Sequence, residues 1–470
     1  MRFLFFITVA VVFAYPAKGQ TCSCESNFEW VKKTFEENDA GFSYIIEKKG
    51  QRAYNIHNQL TIEKIKSVSN TKECLQLLSD WLKFFRTGHI GISALTNETS
   101  NLQENWNIDI PQFEKYISEK IEVDFEGIWK QNETSKTRFG IKREGENYVV
   151  FVIDDTKTKI ITIEKNGEEL NTIYYARYTS PYKIPNPVLI GNNTLQFGEW
   201  GTWKRVSPTF PEDTENIASE KDYEKFLTAT NPYLEELNAT TLYLRIPSFG
   251  IENKAAIDKL ISDSKVKILK TENLIIDLRN NGGGRDQSFT ELLPLIYTNP
   301  VRTISVEFLS TVQNNQLFLE YSADTDLDED TRRWAKKVYD KLQENLGKFV
   351  NVFDEDVSIF TQDTVYEYPK NVGIIINEGN ASTTEQFILA AKQSKKVKLF
   401  GTTTWGALDI SNMASIESPC KEFNLAYCLS RSMRIPGMAI DDIGLQPDFY
   451  LDKTIPQRKW VEYVSEILKQ

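Results

Sequence analysis

The N-terminal part of the chain shows a helical spacing of hydrophobic residues. In FEWVKKTFEE and CLQLLSDWLKFF, apolar residues recur at intervals of three and four, with charged residues between them. We therefore predict an N-terminal helical domain over residues 20–104. From 105 to 215 the pattern changes to short alternating segments such as YVVFVIDD and KIITIEKNGEEL, where Asn166-Gly167 is typical of a hairpin turn. This change predicts a β-rich domain over residues 105–215.

A third pattern follows a polar stretch at 207–222, which we interpret as a linker. Beyond it, apolar segments such as TLYLRIP, LIIDLR and VGIIIN alternate with helical segments such as IENKAAIDKLISDSKVKILK and TTEQFILAAKQS. This alternation predicts a layered core with a parallel-type sheet, to which we assign residues 216–470. Segment 328–348 has the charged, amphipathic pattern of a helix, either a solvated face or a lid beside a site.

The first residues have the pattern of a targeting segment. Arg2 precedes LFFITVAVVFAY, and small residues follow before Gln20, as in a cleaved secretory signal. We expect residues 1–19 to be removed and the protein to be exported to the periplasm or the extracellular space. Lipid anchoring at Cys22 is the second alternative. The apolar stretch is short for a bilayer span and no other segment approaches that length, so we expect no stable membrane insertion.

All five cysteines follow the predicted signal, in the part of the chain where disulfides would persist. Cys420 and Cys428 could close a hairpin, and either Cys22 or Cys24 could pair with Cys74, leaving one thiol. Burial without any bridge is the alternative. Neither the cysteine spacing nor the two histidines suggest a zinc site, and we expect no metal or organic cofactor.

The charge balance bears on partners. Lys and Arg number 55 against 66 Asp and Glu, a net charge of −11, and no long basic run occurs. Nucleic acid is therefore not an expected partner.

The segment 274–284, LIIDLRNNGGG, is the first candidate for chemistry. Its apolar start fits a strand that is buried on both faces. The glycines allow positive φ and a close approach of another backbone, so the turn could direct N–H groups toward an anion or a developing oxyanion. The alternative is a tight strand-to-helix turn without a ligand.

The second candidate is Ser382, in NEGNASTTEQF. It lies where a strand gives way to a helix, so its hydroxyl would face the free N–H groups and the positive end of the helix dipole. This arrangement favours an oxyanion formed when a hydroxyl attacks a carbonyl. The alternative is helix capping, since Ser382 and Glu385 also fit the S-x-x-E capping box.

Together, LRNNGGG and N-x-S-x-x-E resemble the serine peptidases of the C-terminal processing and tricorn core family. In that family a buried strand ends in D-L-R-x-N-x-G-G and the nucleophile begins a helix. YLRIPSF, FGTTTWG and GLQPDFYLD resemble further markers in the same order, so the resemblance covers residues 240–455. It implies a crotonase/Clp-protease-like ββα spiral core in a multidomain α+β chain, and a protein or peptide substrate. It implies no oligomeric state.

The resemblance also implies residue roles. Ser382 matches the nucleophile, and Gly283 with the backbone N–H of Thr383 matches the oxyanion hole. Where the processing peptidases carry a lysine base, this chain has Ala407, which cannot accept a proton. The tricorn-like branch instead takes a histidine from the N-terminal helical region, and His89 in FFRTGHIGIS fits that context.

The remaining roles are less specific. Asp441 matches the family's glutamate in E-N/G-x-G-V-x-P-D and would orient the base, although Asp442 could serve instead. Gly88 replaces a hydroxyl residue that can precede the histidine, and His57 in YNIHNQL lacks the family context and is predicted to be structural.

Two functions remain open at this level. No GLGF-like loop precedes the core, so a PDZ groove is not expected. The main prediction is an exported serine-type peptidase. The alternative is a non-catalytic ligand- or peptide-binding protein, because retinoid-binding proteins reuse the same fold.

Overall fold

The computed structural model describes a chain whose described residues are 22–95, 104–131, 135–154, 158–167, 169–176, 179–197, 202–211 and 217–470. The predicted signal segment 1–19 lies outside the described residues, as do residues 212–216 of the predicted linker.

Helices form the N-terminal part, as the hydrophobic spacing predicts. The first helix begins after Ser23, whose hydroxyl accepts a hydrogen bond from the Ser26 N–H and caps the helix. The helices in the described residues are α1 Cys24–Asn38, α2 Phe42–Lys49, α3 Gln51–Ile65, α4 Thr71–Lys83, α5 Ile110–Ser118, α6 Ile217–Thr228, α7 Ile251–Ile268, α8 Leu293–Ile296, α9 Val312–Ala323, α10 Glu329–Gln343, α11 Thr383–Ala391 and α12 Trp460–Leu468.

Strands dominate the middle of the chain and alternate with helices after it. The strands in the described residues are β1 Gly91–Ala94, β2 Glu104–Asn105, β3 Gly127–Lys130, β4 Phe139–Glu144, β5 Asn147–Val152, β6 Thr158–Asn166, β7 Glu169–Tyr174, β8 Tyr182–Ile184, β9 Val188–Ile190, β10 Thr194–Gln196, β11 Thr202–Ser207, β12 Tyr233–Asn238, β13 Thr241–Arg245, β14 Asn273–Asp277, β15 Val301–Ile304, β16 Val306–Leu309, β17 Phe349–Val350, β18 Val357–Phe360, β19 Asn371–Ile376, β20 Val397–Gly401, β21 Ile410–Glu417, β22 Phe423–Ser432 and β23 Phe449–Tyr450.

The middle strands build one antiparallel sheet in the order β8-β7-β6-β5-β4-β3-β11-β10-β9, with β2 beside β6. Trp129, Phe139, Val150 and Leu195 are among the residues that fill the core on one of its faces. The β-rich character predicted for this part of the chain is therefore confirmed. Its tight turn at Asn166-Gly167 connects β6 to β7, where Gly167 has φ 65°.

The sheet that carries the candidate serine has the order β12-β13-β14-β19-β20-β23, and every pair from β13 to β23 is parallel. Leu274 and Ile276 of β14 pack in one core with α7 and α11, while Ile275 packs in another with α12. Because helices cover both faces, β14 reads as an unbroken apolar run. The predicted parallel-type sheet is confirmed, and the chain is a mixed helix and sheet protein.

The N-terminal helices are joined to the rest of the chain through a third sheet, in the order β1-β22-β16-β17 with β21 on the other side of β22. β1 lies in the range that we assigned to the helical domain, but it pairs with β22 from the far end of the chain. Phe35 and Trp81 of the helices pack in one core with Leu425 of that strand. The connection places the turn after α4 beside β21 and β22.

No helix in the described part of the chain is both long enough and apolar enough to cross a membrane.

Two disulfides tie the N-terminus down. Cys24 bonds to Cys74 and Cys22 bonds to Cys420, while Cys428 is a buried thiol. One of the two predicted partners of Cys74 is thus confirmed, and the predicted bridge between Cys420 and Cys428 is wrong. Cys428 lies in the middle of β22 opposite Met413, with its thiol 3.1 Å from the His89 carbonyl oxygen, so it faces the N-terminal helices rather than the hairpin end.

The bridge within the helical region should stabilise it measurably. Cys24 and Cys74 are 50 residues apart, so their bond removes loop-closure entropy from the unfolded chain. We expect the double variant Cys24→Ala/Cys74→Ala to lose about 2–4 kcal/mol of unfolding free energy. Urea unfolding in non-reducing buffer measures this loss. An unchanged midpoint would contradict the prediction. When both proteins are fully reduced, neither has a disulfide, and their two midpoints should lie closer together.

Candidate active site

Ser382 occupies a strained turn between β19 and α11. Its backbone has φ 57° and ψ −126°, a region that non-glycine residues rarely adopt and that costs on the order of 1–3 kcal/mol. The Ser382 N–H lies 3.0 Å from the Ala407 carbonyl oxygen and 3.2 Å from Glu385 Oε2. These bonds hold the residue in a conformation that brings its side chain to the wall of a cavity.

Glu385 is fully buried and binds the neighbouring loop. Besides the Ser382 N–H, its carboxylate accepts hydrogen bonds from Thr404 Oγ1 at 2.5 Å, Gly406 N–H at 2.8 Å and Ala407 N–H at 2.9 Å. Burial raises the pKa of this carboxyl, and the four hydrogen bonds lower it in part. The predicted capping box is present. It shapes the turn, so capping and a chemical role for Ser382 are compatible.

The glycine segment lies directly against this turn. Gly283 has φ 106°, and a Cβ at that position would be 2.9 Å from Ser382 Cβ and 3.0 Å from the Thr383 nitrogen. Only glycine permits that approach. The Gly283 N–H donates to Asn281 Oδ1 at 3.0 Å, whereas the Gly284 N–H has no acceptor among the described residues. The sequence-predicted donors Gly283 and Thr383 are therefore adjacent to Ser382.

His89 lies in the turn after α4, with φ 54°. Its Nδ1 is 2.7 Å from the Ile410 carbonyl oxygen. A carbonyl can only accept, so Nδ1 carries the proton and Nε2 of the neutral ring has a free lone pair. Burial lowers the pKa of the His89 imidazole; the bond to Ile410 raises it in part, and the charge of Arg86 lowers it further.

One cavity of about 640 Å³ contains both His89 and Ser382 in its wall. His57, in contrast, lies in α3, where its Nε2 is 3.1 Å from the Trp81 carbonyl oxygen and its ring stacks on Phe84. The structure thus brings the predicted base and nucleophile to one cavity and gives His57 a packing role. Among the described residues, no group of three or more His, Cys, Asp or Glu side chains is placed to hold a metal ion.

Asp441 is connected to His89 through the backbone. Its buried carboxylate accepts the N–H groups of Leu408 at 2.6 Å, Asp409 at 2.6 Å and Ile410 at 3.0 Å. Burial is the main cause that raises the pKa of Asp441 to about 6, and the charge of Asp409 adds to it. The carboxylate therefore fixes the segment whose Ile410 carbonyl orients the imidazole. Sequence reasoning missed this carbonyl, since a backbone group has no sequence signature.

Asp442, the alternative acidic residue, has a different contact. Its Oδ1 is 3.1 Å from the Thr87 hydroxyl, two residues before His89. Within the described residues, neither Asp441 nor Asp442 hydrogen-bonds to the imidazole.

A buried ion pair holds the turn that carries His89. Arg86 donates to both carboxylate oxygens of Asp39, at 2.8 and 2.6 Å, and both side chains are excluded from solvent. The same guanidinium donates to the carbonyl oxygens of Gly88 at 3.2 Å and His89 at 2.9 Å. Arg86 was not predicted, although a lone arginine directly after the apolar helix segment of α4 is the signal that could have indicated it.

Gly88 and Ala407 are packed against each other where the histidine turn meets the serine turn. A Cβ on Gly88 would lie 2.5 Å from the Ala407 Cβ. Position 88 therefore requires glycine at this contact. A longer side chain at 407, such as the lysine of the processing peptidases, has the same Cβ and would project from this contact.

This contact can be tested by a double-mutant cycle. Gly88→Ala introduces the overlap and should cost about 1–3 kcal/mol of unfolding free energy, because overpacking displaces rigid backbone. In the presence of Ala407→Gly the same substitution should cost much less, which gives a non-additive cycle. Urea unfolding of the four proteins measures the coupling. Additive costs would show that the two turns do not meet as described.

Comparison with known protein families gives a match in the part of the chain that carries Ser382. Residues 240–451 match the model of peptidase family S41. No curated protein matches the sequence.

Solved structures of CPAF share the fold. Mature CPAF matches with a TM-score of 0.52 at 14% sequence identity, over 95% of this chain and 97% of CPAF. Mature CPAF complexed with lactacystin has the same TM-score and identity, over 95% and 98% of the two chains. The photosystem II D1 C-terminal processing protease covers 96% and 98% at 12% identity, with a TM-score of 0.40. The matched residues contain Ser382 and the glycine segment, so this part of the chain is similar to peptidase family S41.

Proposed function

We propose that this chain is an exported peptidase that hydrolyses peptide bonds with Ser382 as nucleophile and His89 as general base. The observation that carries the proposal is that these two side chains, from distant parts of the sequence, line one cavity. The strained backbone of Ser382 supports it, since such strain concentrates where a side chain must be presented for chemistry. Both features favour catalysis over the alternative of non-catalytic binding.

The protonation state of His89 suits the first step. With Nδ1–H bonded to the Ile410 carbonyl, Nε2 accepts the Ser382 hydroxyl proton as Oγ attacks the substrate carbonyl carbon. The imidazolium then returns that proton to the leaving amine, and water hydrolyses the acyl-enzyme by the same two transfers. The Asp441 carboxylate binds the Ile410 N–H and so fixes the segment whose Ile410 carbonyl orients the imidazole during both transfers.

The oxyanion of the tetrahedral intermediate would be held by backbone N–H groups. Thr383 is the first residue of α11, and its N–H has no acceptor within the helix. The second donor comes from the glycine segment beside it. Gly283 is the residue implied by the family pattern, but its N–H already donates to Asn281. Gly284 lies opposite Phe249, but the two hydrogen bonds of this bridge are made by its neighbours: the Phe249 N–H donates to the Gly283 carbonyl oxygen, and the Arg285 N–H donates to the Phe249 carbonyl oxygen. The Gly284 N–H therefore points away from Phe249 and is open to the cavity, which Gly284 lines.

We further propose that the core has the crotonase/Clp-protease-like ββα spiral and that the protein is exported. The two disulfides support export, because such bonds persist mainly in oxidising compartments. Peptide is the proposed substrate class, in keeping with the family.

A covalent serine probe tests the nucleophile and the base separately. We expect a fluorophosphonate to label the protein at Ser382, and Ser382→Ala to abolish both labelling and peptide hydrolysis. His89→Ala should lower both by about 10³-fold or more, because the hydroxyl loses its base. Gel fluorescence and a quenched-peptide assay measure these effects.

Ser394→Ala is the matched control, since Ser394 is a buried serine that follows the same helix and does not line the cavity. It should label normally. Labelling that survives Ser382→Ala would reject the nucleophile, and labelling untouched by His89→Ala would remove His89 from the mechanism.

The pH profile tests the state of His89. Only the neutral imidazole accepts the hydroxyl proton, so kcat/KM is lost as pH falls through its pKa. Burial lowers the pKa of His89, and the pKa of Asp441 is about 6, so the acidic limb should have its apparent midpoint below 6.5. Initial rates at low substrate concentration from about pH 4.5 to 8.5 locate this midpoint.

Acid unfolding through Asp441 does not explain such a limb. Its pKa is raised in the folded protein, so the stability it contributes is present at low pH and is lost as pH rises through about 6. Circular dichroism over the same range provides the control. An acidic midpoint above 6.5 with an intact fold would contradict the assignment of His89.

A further inference from the structure

A buried arginine lines the same cavity as Ser382. Arg434 follows β22, and its side chain is only 6% exposed. Its Nε donates to Asp409 Oδ1 at 2.9 Å and its Nη1 donates to Gln386 Oε1 at 3.3 Å. None of the described residues accepts a hydrogen bond from Nη2. Arg434 therefore presents a buried, charged donor to the catalytic cavity.

Gln386 places this donor close to the nucleophile. It lies four residues after Ser382, and its N–H donates to the Ser382 carbonyl oxygen at 3.0 Å. Residues four apart share a helix face, about one turn or 5–6 Å along the axis. Because its Oε1 is occupied by Arg434, its Nε2 is the remaining polar atom, and no described residue accepts from it. Arg434 Nη2 and Gln386 Nε2 are thus two neighbouring donors, about one turn of α11 after Ser382.

The neighbouring charges do not occupy these donors. Asp409 also accepts the N–H of Asp441 at 3.1 Å, so its carboxylate is shared between Arg434 and the backbone. Asp286 lies in the cavity wall, where its carboxyl bonds to Thr383 and attracts the Arg434 guanidinium through its charge, but among the described residues it accepts no hydrogen bond from Arg434. With Arg285 and Glu355 on the same wall, the charges of the cavity balance. Any preference for an anion must therefore come from the local geometry at Arg434.

We infer that Arg434 Nη2 and Gln386 Nε2 bind a carboxylate of the peptide substrate beside the bond that Ser382 attacks. A guanidinium paired with an amide donor matches a planar carboxylate better than a neutral group. The carboxylate has two possible sources, the α-carboxylate of the peptide's C-terminus and an Asp or Glu side chain. This inference rests on the proposed function, since it names the substrate class of the same site.

Binding to the Ser382→Ala protein tests the inference without requiring turnover. Four fluorescent peptides of one parent sequence are compared by anisotropy at neutral pH: free acid against C-terminal amide, and amidated peptides with an internal Glu against Gln. One acid should bind at least about tenfold more tightly than its neutral counterpart, as expected for a charge-assisted bond. The pair that shows the difference identifies the source. Equal binding within about twofold in both pairs would overturn the inference, even if the unaltered protein hydrolyses peptides.

Two variants assign any preference to this pocket. Arg434→Gln should abolish it, but it leaves Asp409 buried without its cation and could impair folding. Gln386→Glu keeps an acceptor for Arg434 and places a second carboxylate where the substrate's would lie, so it should remove or reverse the preference in a folded protein. A full preference in Gln386→Glu would overturn the inference.

Arg138→Gln is the matched control, because Arg138 is also paired with an aspartate, Asp154 at 2.5 Å, but directly precedes β4 of the middle sheet and does not line the cavity. It should bind all four peptides like its parent. If the Ser382→Ala protein shows the carboxylate preference while the unaltered protein cleaves nothing, the proposed function fails and the carboxylate site stands.

Discussion

Two buried carboxylates hold the five-residue segment 406–410, and the candidate site depends on that segment. Glu385 accepts the N–H groups of Gly406 and Ala407, and Asp441 accepts the next three, so every N–H of the segment is bound by one of the two acids. The carbonyl groups of the same segment then bind the two candidate catalytic residues. The Ala407 oxygen accepts from the Ser382 N–H, and the Ile410 oxygen accepts from His89 Nδ1.

Burying these two carboxylates lowers the stability of the folded protein, but it fixes the position of segment 406–410. Burial raises the pKa of both Glu385 and Asp441, so ionising them is harder in the folded protein than in the unfolded chain. Hydrogen bonds from several N–H groups offset part of that cost, because charge-assisted bonds are stronger than neutral ones. A backbone segment fixed in this way needs no side chain of its own to orient the histidine. It explains how Asp441 can influence His89 without touching it.

The sequence predicted the parts of the site that have side chains and a recognisable spacing. The resemblance to the peptidase family implies the roles of Ser382 through N-x-S-x-x-E, of Gly283 through the glycine run, and of His89 through its flanking glycines and the missing lysine, and these roles stay predictions. Unbroken apolar runs such as LIIDLR predict the parallel strands, because such a run can be recognised without knowing which strands lie beside it. These signals are local, and local patterns are what a single sequence contains.

The remaining features are contacts between distant segments. The Ile410 carbonyl, the Arg86–Asp39 pair and the bond between Cys22 and Cys420 each join residues that no spacing rule relates. For the same reason the hairpin bridge between Cys420 and Cys428 was a reasonable and wrong prediction. The two cysteines are near in sequence, yet β22 turns Cys428 toward the N-terminal helices.

The meeting of Gly88 with Ala407 connects the position of His89 to packing. A Cβ at position 88 would lie 2.5 Å from the Ala407 Cβ, so the turn that carries His89 can lie this close to Ala407 only because residue 88 has no side chain. Ala407 in turn accepts the Ser382 N–H with its carbonyl oxygen. The same small contact therefore joins the histidine turn to the serine turn and brings His89, from the N-terminal part of the chain, to the cavity that Ser382 also lines.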